Sequence, residues 1–240
     1  MIVPAYNEEE LLEFFVRKSV RDLTKGCKDF EILLVDDGST DPTGVIADQL
    51  AAEFSQVRVL HLGRNYGVGY NFIESYGLAT KDYIFWNTVD GFFDTADLHV
   101  LAPHLETHDI VSGYRTNLKA NNIYQKMLTL GNFYLVRILY SLNLKAFQTV
   151  QLHPRSYMHS IKIEGRSSFI APELLYKARA LGLKIKEVPI TFHPRQAGVA
   201  KGGKPRFVMH SIRDVLKHFV LWRVLKRPLV KTETRAEQAA

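Results

Sequence analysis

What most constrains this 240-residue chain is an alternation, within its first hundred residues, between short apolar runs and segments of helical periodicity. "IVPAY" reads as the end of a strand. In "EEELLEFFVRKSVRDLTKG", Leu11, Leu12, Phe15, Val16, Val20 and Leu23 form one helical face, and Gly26 suits the stop. "FEILLVDDG" reads as a buried strand ending in acids. "DPTGVIADQLAAEF" reads as a helix, with Asp41 as its N-cap and Pro42 in its first turn. The strand "VRVLHL", the helix "NFIESYGLA" and the strand "DYIFWN" follow. This order implies an α/β fold, a largely parallel sheet covered by helices on both faces. Ligands of such sheets bind beyond the carboxyl ends of the strands. The polar clusters there are therefore expected to share one crevice: Tyr6, Asn7 and Glu8; Asp36 and Asp37; Asp90 and Asp94.

The second half is less regular. "DIVSGYR" reads as a short strand and "NIYQKMLTLGNFYLVRILYSLNL" as a long apolar helix. "LLYKARALGLKIKEVPITF" reads as a helix, a turn at Gly182 and a strand. "PRQAGVAKGGKPR" is a glycine-rich basic loop, and "FVMHSIRDVLKHFVLWRVLKR" a basic amphipathic helix. The expected organisation is an α/β domain over residues 1–205, with a first strand that is either truncated or unusually short, a helix over 206–228 and a disordered tail over 229–240. "MIVPAY" has no apolar stretch of signal-peptide length.

Hydrophobic residues make up 46% of the chain, enough for a sizeable core. A single cysteine, Cys27, excludes an internal disulfide framework and points to a reducing compartment. The net charge of +6 is uneven: residues 200–240 hold ten Lys/Arg against three Asp/Glu, and the other 199 balance at −1. A basic end on a near-neutral body points to a local anionic partner. No nucleic-acid module or basic-aromatic groove accompanies that charge, so a nucleic acid is not expected.

Helix capping accounts for Asp41 better than for the consecutive acids Asp36 and Asp37, which could accept hydrogen bonds from a nucleobase or ribose. In "GRNYGVGYN", Phe72 stands where a dinucleotide-binding turn needs its third glycine. Gly67 and Gly69 read instead as a tight turn allowing close approach of a ligand or of neighbouring backbone. Arg195, Lys201, Lys204 and Arg206 lie among Gly198, Gly202 and Gly203, which suits phosphate binding and closure over a ligand, although basic loops are common. The nine histidines show no metal-ligand spacing; His99, His104 and His108 read as surface or capping residues.

Taken in order, "VPAYNEEE", "EILLVDDGSTD", "NYGVGYNFIESYGLA", "VSGYR", "EVPITFHPRQAGVAKGG" and the closing basic helix resemble the family 2 glycosyltransferases. The nearest subgroup is the dolichyl- or polyprenyl-phosphate sugar synthases, and the resemblance runs to about Arg227. It implies a GT-A fold, three layers around a mostly parallel sheet. It also implies hexose transfer from a GDP- or UDP-linked donor to a polyprenyl or dolichyl phosphate, with a divalent cation, Mg²⁺ or Mn²⁺. Carried over, Pro4, Tyr6 and Glu8 would cradle the donor nucleotide, and Asp37 with Asp36 would hold its base or ribose. Asp90 would be the metal ligand at the reacting centre. Arg115 would meet the lipid phosphate or that centre, and Arg195 and Lys201 would close over the diphosphate.

The sequence departs from that pattern. Thr88 stands where the first metal-binding Asp is expected, and Phe92 where a third ligand, often Gln, would be. Gln125 replaces an Arg, with Lys126 beside it, and Ala146 replaces an acid. Three readings stay open: an enzyme with altered metal dependence, a transferase with another donor or a non-lipid acceptor, and a nucleotide-sugar-binding pseudoenzyme. Residues 127–144 are apolar but interrupted by Asn132 and Arg137, and are shorter than the ~20 residues a spanning helix needs. They suit a core or an interfacial helix. In the last helix Phe207, Ile212, Val215, Leu216, Phe219 and Val220 recur at helical spacing beside Arg213, Lys217, Arg223, Lys226 and Arg227. Packing on the body competes with lying in a membrane interface. The charge asymmetry favours the interface, and with it a peripheral location on the cytoplasmic face of a membrane.

Overall fold

The computed structural model describes residues 1–89, 93–116, 123–147, 149–190 and 205–231, with the backbone alone at 123–126, 128–129 and 205–208. The expected alternation builds β1 (Ile2–Ala5), α1 (Leu12–Gly26), β2 (Ile32–Asp36), α2 (Thr43–Glu53), β3 (Val57–His61), α3 (Val68–Tyr76) and β4 (Tyr83–Ile84). The second half adds α4 (Leu98–Leu101), β5 (Ile110–Arg115), α5 (Ile123–Leu139), β6 (Gln151–Pro154), α6 (Arg155–Ser160), α7 (Ile170–Ala180), β7 (Ile185–Ile190) and α8 (Pro205–Phe219).

Strands β1, β2 and β3 pair in parallel, and β4, β6, β5 and β7 form a second ladder in that order. Ile2 joins the two: its N–H donates to Phe85 O (2.9 Å), and its carbonyl accepts from Asn87 N (3.0 Å). The strand segment leading to Thr88 therefore runs beside β1. The exception to parallel pairing is β6, antiparallel to both β4 and β5. Sequence reading did not foresee it, because "QLHP" is four residues long and shows neither an apolar run nor alternation.

Every residue of β2 is buried, as a strand covered on both faces requires. Period-2 alternation sends Ile32 and Leu34 into a core with Leu12, Phe15 and Leu23 of α1, and Leu33 and Val35 into a second core with Phe72, Tyr140 and Leu174. Cys27 packs at the edge of the first core.

The last helix belongs to the second core through Val215, and Trp222 in the π-helical turn after it is also buried there. Tyr140 donates its hydroxyl to Val215 O at 2.6 Å. The opposite faces are open. On α5, Met127, Leu130, Tyr134 and Ile138 are exposed at three- and four-residue steps; on α8 and the turn after it, so are Met209, Leu216, Val220 and Val224. The core reading describes the inner sides of these helices, and exposed apolar residues line the outer sides. Lys231 N donates to Ser160 O at 2.9 Å, so the chain returns to the body at 229–231.

Candidate functional site

The loops after β1 and β2 are stitched together. Asn7 takes a positive φ of 52°, its N–H donates to Ser39 Oγ (3.0 Å), and its Oδ1 accepts from Thr40 N (2.8 Å). Glu8 N donates to Thr43 Oγ1 at 2.8 Å. Helix α2 begins at Thr43, with Pro42 rather than Asp41 at the cap position. Asp41 still accepts the Thr43 amide at 3.0 Å, one residue further out than expected. Pro4, Tyr6 and Glu8 thus sit, half-buried, on one side of a fixed loop pair with Asp36 and Asp37 on the other.

Both acids are engaged inside the protein. Asp37 is 3% exposed; one carboxylate oxygen accepts from Tyr66 N (2.8 Å) and the other from Gly67 N (2.9 Å). It pins the turn before α3, where Gly67 has φ +84°. Asp36 accepts from Ser39 N and pairs with His61 Nδ1, each at 3.0 Å. Burial pushes its pKa up, but the hydrogen bonds from Ser39 and His61 outweigh this and lower it. Of the two glycines, Gly69 serves neighbouring backbone, since a Cβ there would stand 2.3 Å from the Arg166 backbone, whereas Gly67 is needed for its positive φ. Tyr66, 41% exposed, stacks on Tyr70 (4.3 Å) beneath Arg64 and offers an aromatic face that sequence reading had not marked.

On the other half, a cavity of about 230 Å³ opens between β4, β6, α3 and α7. Thr88 and Arg115 line it, with Ser167 and Ser168. Of the residues assigned to the nucleotide, Pro4, Tyr6, Glu8, Asp36 and Asp37 are not in its lining. Asp94, grouped with Asp90 in the sequence, pairs with Lys18 of α1 and accepts Ala96 N at 3.0 Å. Asp90, Phe92, Arg195, Lys201 and Lys204 lie outside the described residues, as do the side chains of Gln125, Lys126 and Arg206. Among the described residues no group of three or more His, Cys, Asp or Glu could hold a metal ion.

Sequence reading missed what shapes this cavity. Lys177 and Glu173 of α7, both wholly buried, pair at 2.7 Å, and Glu173 accepts Glu164 N (2.9 Å) and Gly165 N (2.7 Å). Asp214 of α8 accepts Arg166 N (3.1 Å) and the Ser167 hydroxyl (2.7 Å). These acids hold residues 164–168 against the cavity. Their partners are distant in sequence, so no local spacing marks them.

The parallel first sheet with its stitched strand-end loops, joined to a second ladder that carries the cavity, has the arrangement of the GT-A fold. Glucosyl-3-phosphoglycerate synthase from Mycobacterium tuberculosis, solved with Mn²⁺, UDP-glucose and phosphoglyceric acid, superposes with a TM-score of 0.68. It is 20% identical, over 91% of this chain and 78% of that one. Residues 1–160 match the family described as glycosyl transferase family 2, and the chain belongs to that family. Among its relatives, the undecaprenyl-phosphate mannosyltransferase of Micrococcus luteus is 28% identical over 83% of this chain and 85% of its own length. The polyprenol monophosphomannose synthase of Mycolicibacterium smegmatis is 26% identical over 89% and 85%. The dodecaprenyl-phosphate galacturonate synthase of Rhizobium johnstonii is 26% identical over 95% and 68%. The chain is a glycosyltransferase resembling the polyprenyl-phosphate sugar synthases.

Proposed function

We propose that this glycosyltransferase moves a hexose from a GDP- or UDP-linked donor to a polyprenyl phosphate at a membrane surface. The observation that carries the reading is that Thr88 and Arg115, from the ends of two strands, line one cavity, while the strand segment bearing Thr88 runs beside β1 and its stitched loop. In this reading the donor nucleotide lies over Pro4, Tyr6, Glu8, Asp36 and Asp37. A carboxylate has about four lone-pair sites, so the internal hydrogen bonds of Asp36 and Asp37 leave acceptor capacity for a ribose or base.

Arg115 receives the acceptor phosphate, and Arg195 and Lys201 cover the donor diphosphate. The phosphate oxygen forms the new bond to the anomeric carbon as the nucleoside diphosphate leaves with the bonding electrons. A phosphate is already ionised near neutral pH, so positioning and charge suffice without a strong general base. A divalent cation would be held by Asp90 together with donor phosphates and water, a donor set within the range of Mg²⁺. When bound it supplies charge neutralisation at the leaving group.

The apolar stripes on α5 and α8 support contact with a membrane surface. Residues 123–147 and 205–231 together carry ten Lys/Arg and one acid, Asp214. No helix among the described residues is long and apolar enough to cross a membrane.

Thr88 in place of an acid favours a second reading, a nucleotide-sugar binder without turnover. Radiolabelled donor with polyprenyl phosphate, with and without Mn²⁺, separates the two: labelled lipid supports transfer, and binding without product supports the second. Absence of any thermal shift across a panel of nucleotide sugars overturns both.

A further inference from the structure

We propose that the cavity takes the first isoprenyl unit of the acceptor, with the phosphate that carries it at Arg115. This rests on the reading of the acceptor as a polyprenyl phosphate. It starts from where the polar side chains of the lining spend their hydrogen bonds. Asn87 Nδ2 donates to Phe93 O (2.9 Å) and Gln151 Nε2 to Phe147 O (2.6 Å), while Gln151 Oε1 faces His153 Nε2 at 3.0 Å. The Thr149 hydroxyl donates to Gly113 O, and the Ser167 hydroxyl to Asp214 at 2.7 Å. Trp86 Nε1 and His153 Nδ1 are buried within the wall. These polar groups thus serve the protein itself. The cavity is left with a mainly hydrocarbon surface from Phe72, Ile84, Phe93, Met158, Ile170 and Leu174. A sugar ring would lose the water around its hydroxyls there, which is costly without new partners. A methyl-branched hydrocarbon has no such groups to satisfy and gains by leaving water.

Charge and position select which hydrocarbon. Arg115, half-buried at the end of β5, is part of the same lining. A guanidinium holds a phosphate by charge-assisted hydrogen bonds. A prenyl phosphate joins the two chemistries directly, since its first isoprenyl unit is bonded to a phosphate oxygen. Size agrees. The cavity measures about 230 Å³, and one of ~150 Å³ accepts benzene, which has one carbon more than an isoprenyl unit. Location agrees as well. The Ser167 and Ser168 hydroxyls bond to Asp214 and Ser211 of α8, at 2.7 and 3.4 Å. The open side of α8 carries Met209 and Leu216 of the apolar stripe. The cavity therefore lies beside the helix proposed to meet the membrane, where the rest of the lipid stays.

Methionine methyl resonances test this directly. The chain has four methionines, Met1, Met127, Met158 and Met209, of which Met158 lines the cavity. Met158→Leu assigns its signal. Farnesyl phosphate is then titrated into the wild-type protein without vesicles, beside inorganic phosphate, UDP-glucose and GDP-mannose. The expected result is nuclear Overhauser contacts between the Met158 methyl and the prenyl protons nearest the phosphate. Farnesyl phosphate should also bind at least ~10-fold more tightly than inorganic phosphate, because each buried methylene adds roughly fourfold. Ala171→Phe, which brings a ring into the lining, should weaken farnesyl phosphate about tenfold and leave the affinity for UDP or GDP unchanged. Farnesyl phosphate that binds without touching Met158, or through Met127 and Met209 on the open faces alone, would overturn the proposal. So would contacts from the sugar protons of a nucleotide sugar to Met158. In either case glycosylated farnesyl phosphate would keep the acceptor reading standing. If farnesyl phosphate neither binds nor is glycosylated while nucleotide sugars bind, the acceptor reading falls and takes this one with it. Should Ala171→Phe fail to fold, the wild-type contacts alone decide.

Discussion

Asp37 lies at the C-terminal end of a buried strand, yet its carboxylate is occupied by the backbone of the next strand-to-helix turn. Replacing it with alanine would leave the partly buried amides of Tyr66 and Gly67 without their acceptor, and each hydrogen bond to a charged group contributes about 1.5–3 kcal/mol. Asp37→Ala is thus expected to lower stability by roughly 3 kcal/mol in urea titrations and to abolish the nucleotide-induced thermal shift. A variant that keeps full stability would contradict the clamp. His61 gives a second test at the same scale. It bridges Asp48 and Asp36, each at 3.0 Å. Its hydrogen bond to Asp48, then that to Asp36, raises its pKa above the ordinary value of 6.5. A raised histidine pKa stabilises the fold fully below the unfolded value and loses that stabilisation as pH rises through the folded one. The melting-temperature gap between wild type and His61→Ala should therefore be widest near pH 6 and close on the alkaline side; a gap that widens with pH would refute the pairing.

At the scale of elements, the open faces of α5 and α8 carry the membrane proposal. Each cation near an anionic leaflet contributes roughly 1 kcal/mol, and the apolar stripes add burial in the headgroup region. Removing α8 would not isolate that role, because Val215 and Trp222 belong to the core. Point changes on the open face do. Ile138→Glu and Val224→Glu, at sites 73% and 60% exposed, should reduce flotation with vesicles containing acidic lipid without lowering the melting temperature. Val45→Glu, on the exposed face of α2, should leave flotation unchanged. Equal flotation of all three variants would remove the membrane role from these helices. Periodicity marked Val215, Leu216 and Val220 as one apolar set, which the structure splits by burying Val215 and exposing Leu216 and Val220. Which face met the body was not readable, because that depends on Tyr140, Phe169 and Tyr176, which gather around Trp222 from other elements.

Across the whole molecule, legibility follows the range of the interactions. The first sheet, its strand-end acids and the turn at Gly67 were readable because alternation and turn chemistry act over a few residues. The antiparallel β6, the cavity and the ties that hold residues 162–168 were not, since they arise where distant segments pack. The strongest of these ties is the pair Glu173 and Lys177, with both side chains 0% exposed. Lys177 Nζ also donates to Lys162 O and lies 4.4 Å from the centre of the Trp222 ring, while Trp222 Nε1 donates to Glu164 at 2.8 Å. The α7 helix, the segment bearing Ser167 and the C-terminal turn therefore share one buried charge pair. Removing one partner of such a pair costs about 3–5 kcal/mol, because the other charge is left uncompensated. Lys177→Met is expected to destabilise by that amount in urea titrations. Adding Glu173→Gln removes the stranded charge and keeps an amide oxygen for Glu164 N or Gly165 N, so the double variant should be more stable than Lys177→Met alone. Strict additivity of the two changes in a double-mutant cycle would show that the pair is uncoupled, and the account of how the second half is held together would fail.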